Sequence, residues 1–191
     1  MGKKVVNTMR TAVLLDDGFE ELEAMAPIAL LRRGGIDVDL VSPENGETET
    51  GRFGVTLGKT IPMEDYDFTQ ADCLLLPGGP GHALLEKNEK VREQIRRFAE
   101  DDAKVMAAIC ASPTILGRMG LLKGKNYTCF KSMNEDFGGQ YQEDYAVTDG
   151  NLVTGKSAAG AIDFAFAVME KLTGRQHTDE VKASIYYDSD R

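Results

Sequence analysis

Histidine is almost missing from this chain, with only His82 and His177 among 191 residues. So few imidazoles leave little from which to build a Cys-His nucleophile pair or a metal site, and neither lies in a recognisable catalytic context. Cysteine is scarce and odd in number: Cys73, Cys110 and Cys129 are too widely spaced for a zinc pattern and make no disulfide framework, as expected of a reducing compartment. A basic surplus is missing as well. The 22 Lys and Arg against 31 Asp and Glu leave a net charge of -9, which excludes nucleic-acid binding by phosphate neutralisation and disfavours anionic lipid surfaces. No run approaches the roughly 18 apolar residues of a membrane span. The segment Met1 to Arg10 carries the positive charge of a signal peptide but no apolar stretch, so a cytoplasmic location is expected. What remains is an ordinary composition, 42% hydrophobic and 28% charged, in a length that predicts one domain spanning 1–191.

Periodicity orders the chain into strands and helices. Thr11 to Leu15 is a short apolar run of the kind buried in a parallel sheet, and Leu22, Met25, Ala26, Ala29 and Leu30 recur at helical spacing between Phe19 and Arg33. Gly34-Gly35 stops that helix. Ile36 to Val41 alternates as a strand, Ser42 to Gly58 reads as a hairpin excursion, and Cys73 to Leu76 is the next buried strand. Val91, Ile95 and Phe98 mark a helix, followed by a strand that runs into Cys110. This order predicts an α/β protein with a mostly parallel sheet and helices on both faces. Further on come a strand candidate at 126–130, a polar stretch around Gly138-Gly139, a strand pair between Tyr145 and Thr154, a long helix from about Ala158 to Leu172, and a polar tail expected to be a peripheral helix or a frayed end.

The segment from Lys104 to Gly117 carries the most chemistry. An apolar run ends in Cys110 and a helix pattern begins directly after it, placing a thiol on a sharp strand-to-helix turn. Backbone N–H groups and the helix dipole there favour a thiolate, so a lowered pKa is expected at Cys110, with a buried structural cysteine as the plain alternative. Asp17 to Glu23 sets three carboxylates at the start of the first helix. Glu20 and Glu21 read most simply as solvated first-turn acids, whereas Glu23 falls beside the apolar face and has to be protonated, paired or hydrogen-bonded. Leu76 to Gly81 is glycine-rich at a strand end without the spacing of a dinucleotide or phosphate loop, so it is a tight turn or a source of free N–H groups.

Four segments in this order, Asp17-Gly-Phe-Glu-Glu-Leu-Glu23, Leu74-Leu-Leu-Pro-Gly-Gly79, Ala107-Ala-Ile-Cys-Ala-Ser-Pro113 and Leu152-Val-Thr-Gly-Lys-Ser-Ala-Ala-Gly-Ala-Ile-Asp-Phe-Ala165, resemble the ThiJ/PfpI family. The chain looks closest to the branch that holds the Parkinsonism-associated deglycase and its bacterial relatives. The resemblance implies a flavodoxin-like sandwich with a strained nucleophile elbow at Cys110, and usually a homodimer. By motif position Glu23 looks like the family's glutamate bonded to the cysteine, and Gly79 and Ala111 look like its oxyanion donors. Two departures stand out. Where relatives carry a histidine in Thr-His-Pro this chain has Thr128-Cys129-Phe130, and where they carry Ser-Arg-Gly-Pro-Gly it has Gly155-Lys156-Ser-Ala-Ala-Gly160.

Cys129 and Lys156 are therefore expected in the pocket, with Cys129 close to Cys110. The resemblance implies a cofactor-independent, metal-free glyoxalase or deglycase acting on small 2-oxoaldehydes such as methylglyoxal or their protein adducts. The competing expectation is a non-enzymatic redox sensor or stress protein working through oxidation of Cys110.

Overall fold

The computed structural model describes residues 8–44 and 46–187. The expectation drawn from the N-terminal charge falls largely on residues 1–7, and the end of the tail on 188–191, both outside the described residues. Among the described residues seven strands form the main sheet, in the order β10-β11-β7-β6-β1-β2-β5. They are β1 (Arg10–Leu14), β2 (Asp37–Ser42), β5 (Ile61–Pro62), β6 (Cys73–Leu76), β7 (Val105–Ile109), β10 (Ala146–Asp149) and β11 (Leu152–Gly155). All neighbours pair parallel except β10 and β11. Two small ribbons stand beside it, β3 (Thr48–Thr50) with β4 (Thr56–Gly58), and β8 (Asn126–Tyr127) with β9 (Gln140–Tyr141). This is the α/β sheet that the strand and helix order predicts and the flavodoxin-like sandwich that the family resemblance implies.

The central strands read as unbroken apolar runs because both faces of the sheet are covered. Successive side chains alternate between two cores. On one side Val13, Leu75, Ala107, Ile109 and Val153 pack with Ile28 and Leu31 of α1 (Glu21–Arg33) and Phe164 and Val168 of α5 (Ala161–Thr173). On the other, Leu14, Leu74, Leu76, Met106 and Ala108 meet Ile95 and Phe98 of α3 (Glu89–Glu100) and Ile115 of α4 (Pro113–Arg118). Pro113 sits at the first turn of α4, where a missing N–H costs nothing. The tail folds as α6 (Arg175–Ser184).

Several expected boundaries move. The strand expected over 126–130 shortens to β8, while its partner strand β9 in the polar stretch and the six-residue helix α2 (His82–Lys87) leave no pattern in the sequence. Both are too short for a periodic signal. The first helix is also turned. Leu22 and Met25 are 60% and 39% exposed, and its buried residues include Glu21, Glu23, Ala24, Pro27 and Ile28.

Strand order places the site. From β1 the chain passes to β2 on one side, and later returns to β6 on the other, so a topological switch lies between β1 and β6. Ligands bind in open α/β sheets beyond the carboxyl ends of the strands at such a switch. The turns that follow β1, β6 and β7 carry Glu23, Gly79 and Cys110 to that one edge.

Candidate active site

Cys110 follows β7 directly and has φ of 65°, a left-handed conformation that costs a non-glycine residue about 1–3 kcal/mol. Its neighbours hold it there. The Cys110 N–H donates to Gly155 O at 2.9 Å, Phe130 N–H donates to Cys110 O at 2.7 Å, and Ser112 N–H closes the turn on Ile109 O at 3.1 Å. Ser112 Oγ donates to Pro77 O at 2.5 Å, tying this turn to the one after β6. The expected sharp turn is thus a strained elbow pinned from β11, from β6 and from the 128–130 segment.

Glu23 lies beneath the thiol at 1% exposure. It is hydrogen-bonded to Cys110 and accepts from the N–H of Gly78 at 3.1 Å and from that of Ala158. Burial pushes its carboxyl up to about 7. Gly78 has to be glycine: a Cβ there would stand 2.5 Å from Glu23 Oε2 and 2.7 Å from Cys110 Cβ. Gly79, at φ of 87°, has equally little room, since its Cβ would meet Glu20 N at 2.5 Å.

The N–H groups of Ala111 and Gly79 face the Cys110 sulfur and favour its thiolate. The net direction of the thiol pKa is nevertheless upward, which corrects the expected lowering. Burial pushes it up first, and the charge and hydrogen bond of Glu23 add to that. The two groups titrate as a pair. Two adjacent anions repel in this partly buried site, so a thiolate forms only when Glu23 carries the proton, and the two N–H donors are then opposed by burial alone.

The pair opens into a cavity of about 520 Å³ whose walls include Glu20, Arg52, Phe53, His82, Phe130, Met133, Ser157 and Ala158. Glu20 is no mere solvated acid, because its carboxylate caps α1 by accepting from Glu23 N–H at 2.9 Å. Glu21 is buried and accepts from Phe53 N–H at 2.7 Å, fastening the β3–β4 hairpin that brings Arg52 and Phe53 to the cavity.

Three expected or discounted residues change place. Cys129 is fully buried with Sγ turned toward Asn134, and the alternation of an extended segment gives the cavity wall to Phe130 instead. Lys156 is held by Glu143, with Nζ 2.6 Å from its carboxylate and 2.8 Å from its backbone oxygen, and the cavity takes Ser157 and Ala158 from that segment. His82, discounted on sequence, stands in the wall with Cys110. The signal available was its place six residues after a strand that ends at the ligand edge. Among the described residues no cluster of His, Cys, Asp or Glu is placed to hold a metal ion.

A model of the DJ-1/PfpI family matches residues 9–171, a span that contains Cys110, Glu23, Gly79 and Ala111. The chain belongs to the DJ-1/PfpI family. Among relatives in the DJ-1/PfpI family, Protein dj-1beta of Drosophila melanogaster is 30% identical over 172 residues, 88% of this chain and 92% of that protein. Its crystal structure superposes with a TM-score of 0.87 at 28% identity, covering 95% of this chain and 99% of that one. Protein DJ-1 homolog A of Arabidopsis thaliana is 33% identical over 92% of this chain, which spans only 46% of that longer protein. Deglycase TK1284 of Thermococcus kodakarensis is 32% identical over 78% of this chain and 90% of its own length.

Proposed function

We propose that this protein is a cysteine-dependent enzyme of the glyoxalase or deglycase type acting on small 2-oxoaldehydes such as methylglyoxal, free or as protein adducts. The observation that carries the reading is the half-buried Cys110 paired with the buried Glu23, with the Gly79 and Ala111 N–H groups facing the sulfur, and the deglycase name of one relative agrees with it. In this reading Glu23 takes the thiol proton as sulfur bonds to the aldehyde carbon, and the carbonyl electron pair moves to an oxygen held by the two N–H groups. Glu23 hands that proton to the oxyanion, takes the C1 proton to leave an enediolate and delivers it to C2 as the O1 hydroxyl proton passes to O2, converting the hemithioacetal to a thioester of the hydroxy acid. Water hydrolyses the thioester and restores the thiol. Aldehyde plus water becomes hydroxy acid, an internal redox change that draws on no cofactor.

Lactate formation from methylglyoxal by the wild type and by Cys110→Ser tests the assignment. Turnover confined to the wild type supports it, and equal or absent turnover in both overturns it. A redox-sensing role is favoured by one observation, the same pair of N–H groups, which suits the oxygens of a sulfinate as well as an oxyanion. That reading gains if the wild type is inactive while peroxide oxidises Cys110 selectively.

A homodimer in the cytoplasm belongs to the same proposal. Leu22 and Met25 on α1 and Phe53 beside the cavity are exposed apolar groups suited to a second copy. Sedimentation at micromolar concentration is expected to give twice the chain mass, and a species of single-chain mass counts against the dimer.

A further inference from the structure

The proposed reaction leaves one proton transfer without a carrier. Glu23 borders the cavity at 1% exposure, its carboxyl already engaged with Cys110, Gly78 and Ala158, and the water that releases the product has to lose its proton to a group in the open part of the cavity. His82 stands in that cavity. It begins α2 and is half-buried, and its ring is oriented from the backbone: Gly79 O accepts from Nδ1 at 2.8 Å and from the His82 backbone N–H at 3.1 Å. A carbonyl oxygen only accepts. The neutral ring therefore carries its proton on Nδ1 and keeps a lone pair on Nε2. Gly79 is also the residue whose N–H faces the Cys110 sulfur, so the imidazole is anchored within one residue of the reacting atom.

We propose that His82 is the general base for the hydrolytic half of the reaction, an assignment that rests on the glyoxalase reading above. Nε2 takes a proton from water as the water oxygen bonds to the thioester carbon, and the carbonyl pair moves onto the oxygen facing Gly79 and Ala111. When that intermediate collapses, the C–S bond breaks with its electron pair on sulfur, and the proton on Nε2 passes to sulfur. Thiol, neutral imidazole and hydroxy acid result, with no electrons exchanged with the protein. The charged groups sharing the cavity are Glu20, Glu23 and Arg52, while Glu86, one turn along α2, is held by Arg118 at 2.9 Å. This base would supply what Cys129 does not, standing where sequence comparison has no reason to look.

The two histidines make the tautomer measurable. His177 contacts Gly34 O through Nε2 at 2.8 Å, so long-range nitrogen–proton correlation spectra are expected to show one ring protonated on Nδ1 and the other on Nε2. A His82 ring protonated on Nε2 overturns the proposal. The decisive variant is His82→Asn, which keeps a donor for Gly79 O and removes Nε2. Turnover of methylglyoxal should fall by about 100-fold or more, with partial rescue by added imidazole. A hydroxylamine-sensitive adduct with the mass of one methylglyoxal should accumulate on Cys110, seen by mass spectrometry, with iodoacetamide labelling at the wild-type rate as a control on the fold. Undiminished turnover overturns the assignment, as does loss of turnover without the adduct, which would put His82 before the thioester. A wild type that forms no lactate removes the underlying reading with it, and that control separates the two failures.

Discussion

At the scale of single residues the function turns on where one proton sits. Glu23 held up to about 7 and a thiol pushed upward mean that the pair holds two protons below neutrality and, above it, one proton for two sites. Glu23→Gln separates the two consequences. The amide removes the negative charge that opposes the thiolate, so Cys110 should alkylate with iodoacetamide at least as fast as in the wild type at pH 7. It cannot shuttle a proton, so turnover should fall by about 100-fold or more. Unchanged turnover would take Glu23 out of the mechanism. The other thiols should lag far behind: Cys73 is fully buried with its thiol pKa pushed up, and burial pushes Cys129 up to about 11. With two or more equivalents of peroxide, peptide mapping without reduction should find Cys110 oxidised to sulfinate and Cys129 free. A Cys110 to Cys129 crosslink would mean that the buried Cys129 thiol turns out of its core.

At the scale of elements, the β3–β4 hairpin is fastened to α1 by one buried carboxylate. Glu21 Oε1 accepts from Phe53 N–H at 2.7 Å and Val55 N–H at 3.4 Å, and Gly51 allows the approach, since a Cβ there would stand 2.5 Å from that oxygen. Glu21→Ala leaves a backbone donor without its partner and should cost about 1–3 kcal/mol in urea unfolding. Because Arg52 and Phe53 ride on this hairpin, KM should rise more than kcat falls. A variant with the reverse split would place Glu21 closer to the chemistry than the hairpin it holds. The same helix shows what the sequence leaves legible. The strand ends at Leu76 and Ile109 and the elbow at Cys110 follow from unbroken apolar runs with abrupt stops, a signal that local physics produces on its own. The phase of α1 does not. Glu21 and Glu23 take buried positions because distant backbone donors at Phe53 and Gly78 receive them, and Leu22 and Met25 are left outside, so a stripe chosen by hydrophobicity is turned away from the true core. His82 and Phe130 escape for a related reason: one sits on a six-residue helix and the other on the loop after the two-residue β8, with no period to detect in either.

At the scale of the whole molecule, the buried acids give stability a definite dependence on pH. Asp16 at 3% exposure is pushed up to about 6, and Glu23 and Glu49, at 1% and 4%, to about 7, in each case first by burial. Neighbouring charge adds to this, since Asp16 faces Glu44 and Asp17, and Glu49 faces Asp16 and Asp17. In the unfolded chain these groups titrate near 4, so between about pH 4 and 7 the folded state binds more protons, and the slope of unfolding free energy with pH is negative. The contribution is complete below the unfolded values and is lost as pH rises through the folded ones. Opposing it, Asp67, Glu143 and Asp149 are held low by hydrogen bonds from Thr69, Lys131 and Asn126, and their stabilisation fades only as pH falls below about 4. The maximum therefore lies on the acid side of neutrality. Urea unfolding should give a higher stability at pH 5.5 than at pH 8, by on the order of a few kcal/mol, and the Asp16→Asn, Glu49→Gln double variant should flatten the difference without touching Cys110. Stability that rises from pH 5.5 to 8 would mean that these carboxylates reach water or partners which keep them ionised, and would undercut a Glu23 basic enough near neutral pH to take the Cys110 proton.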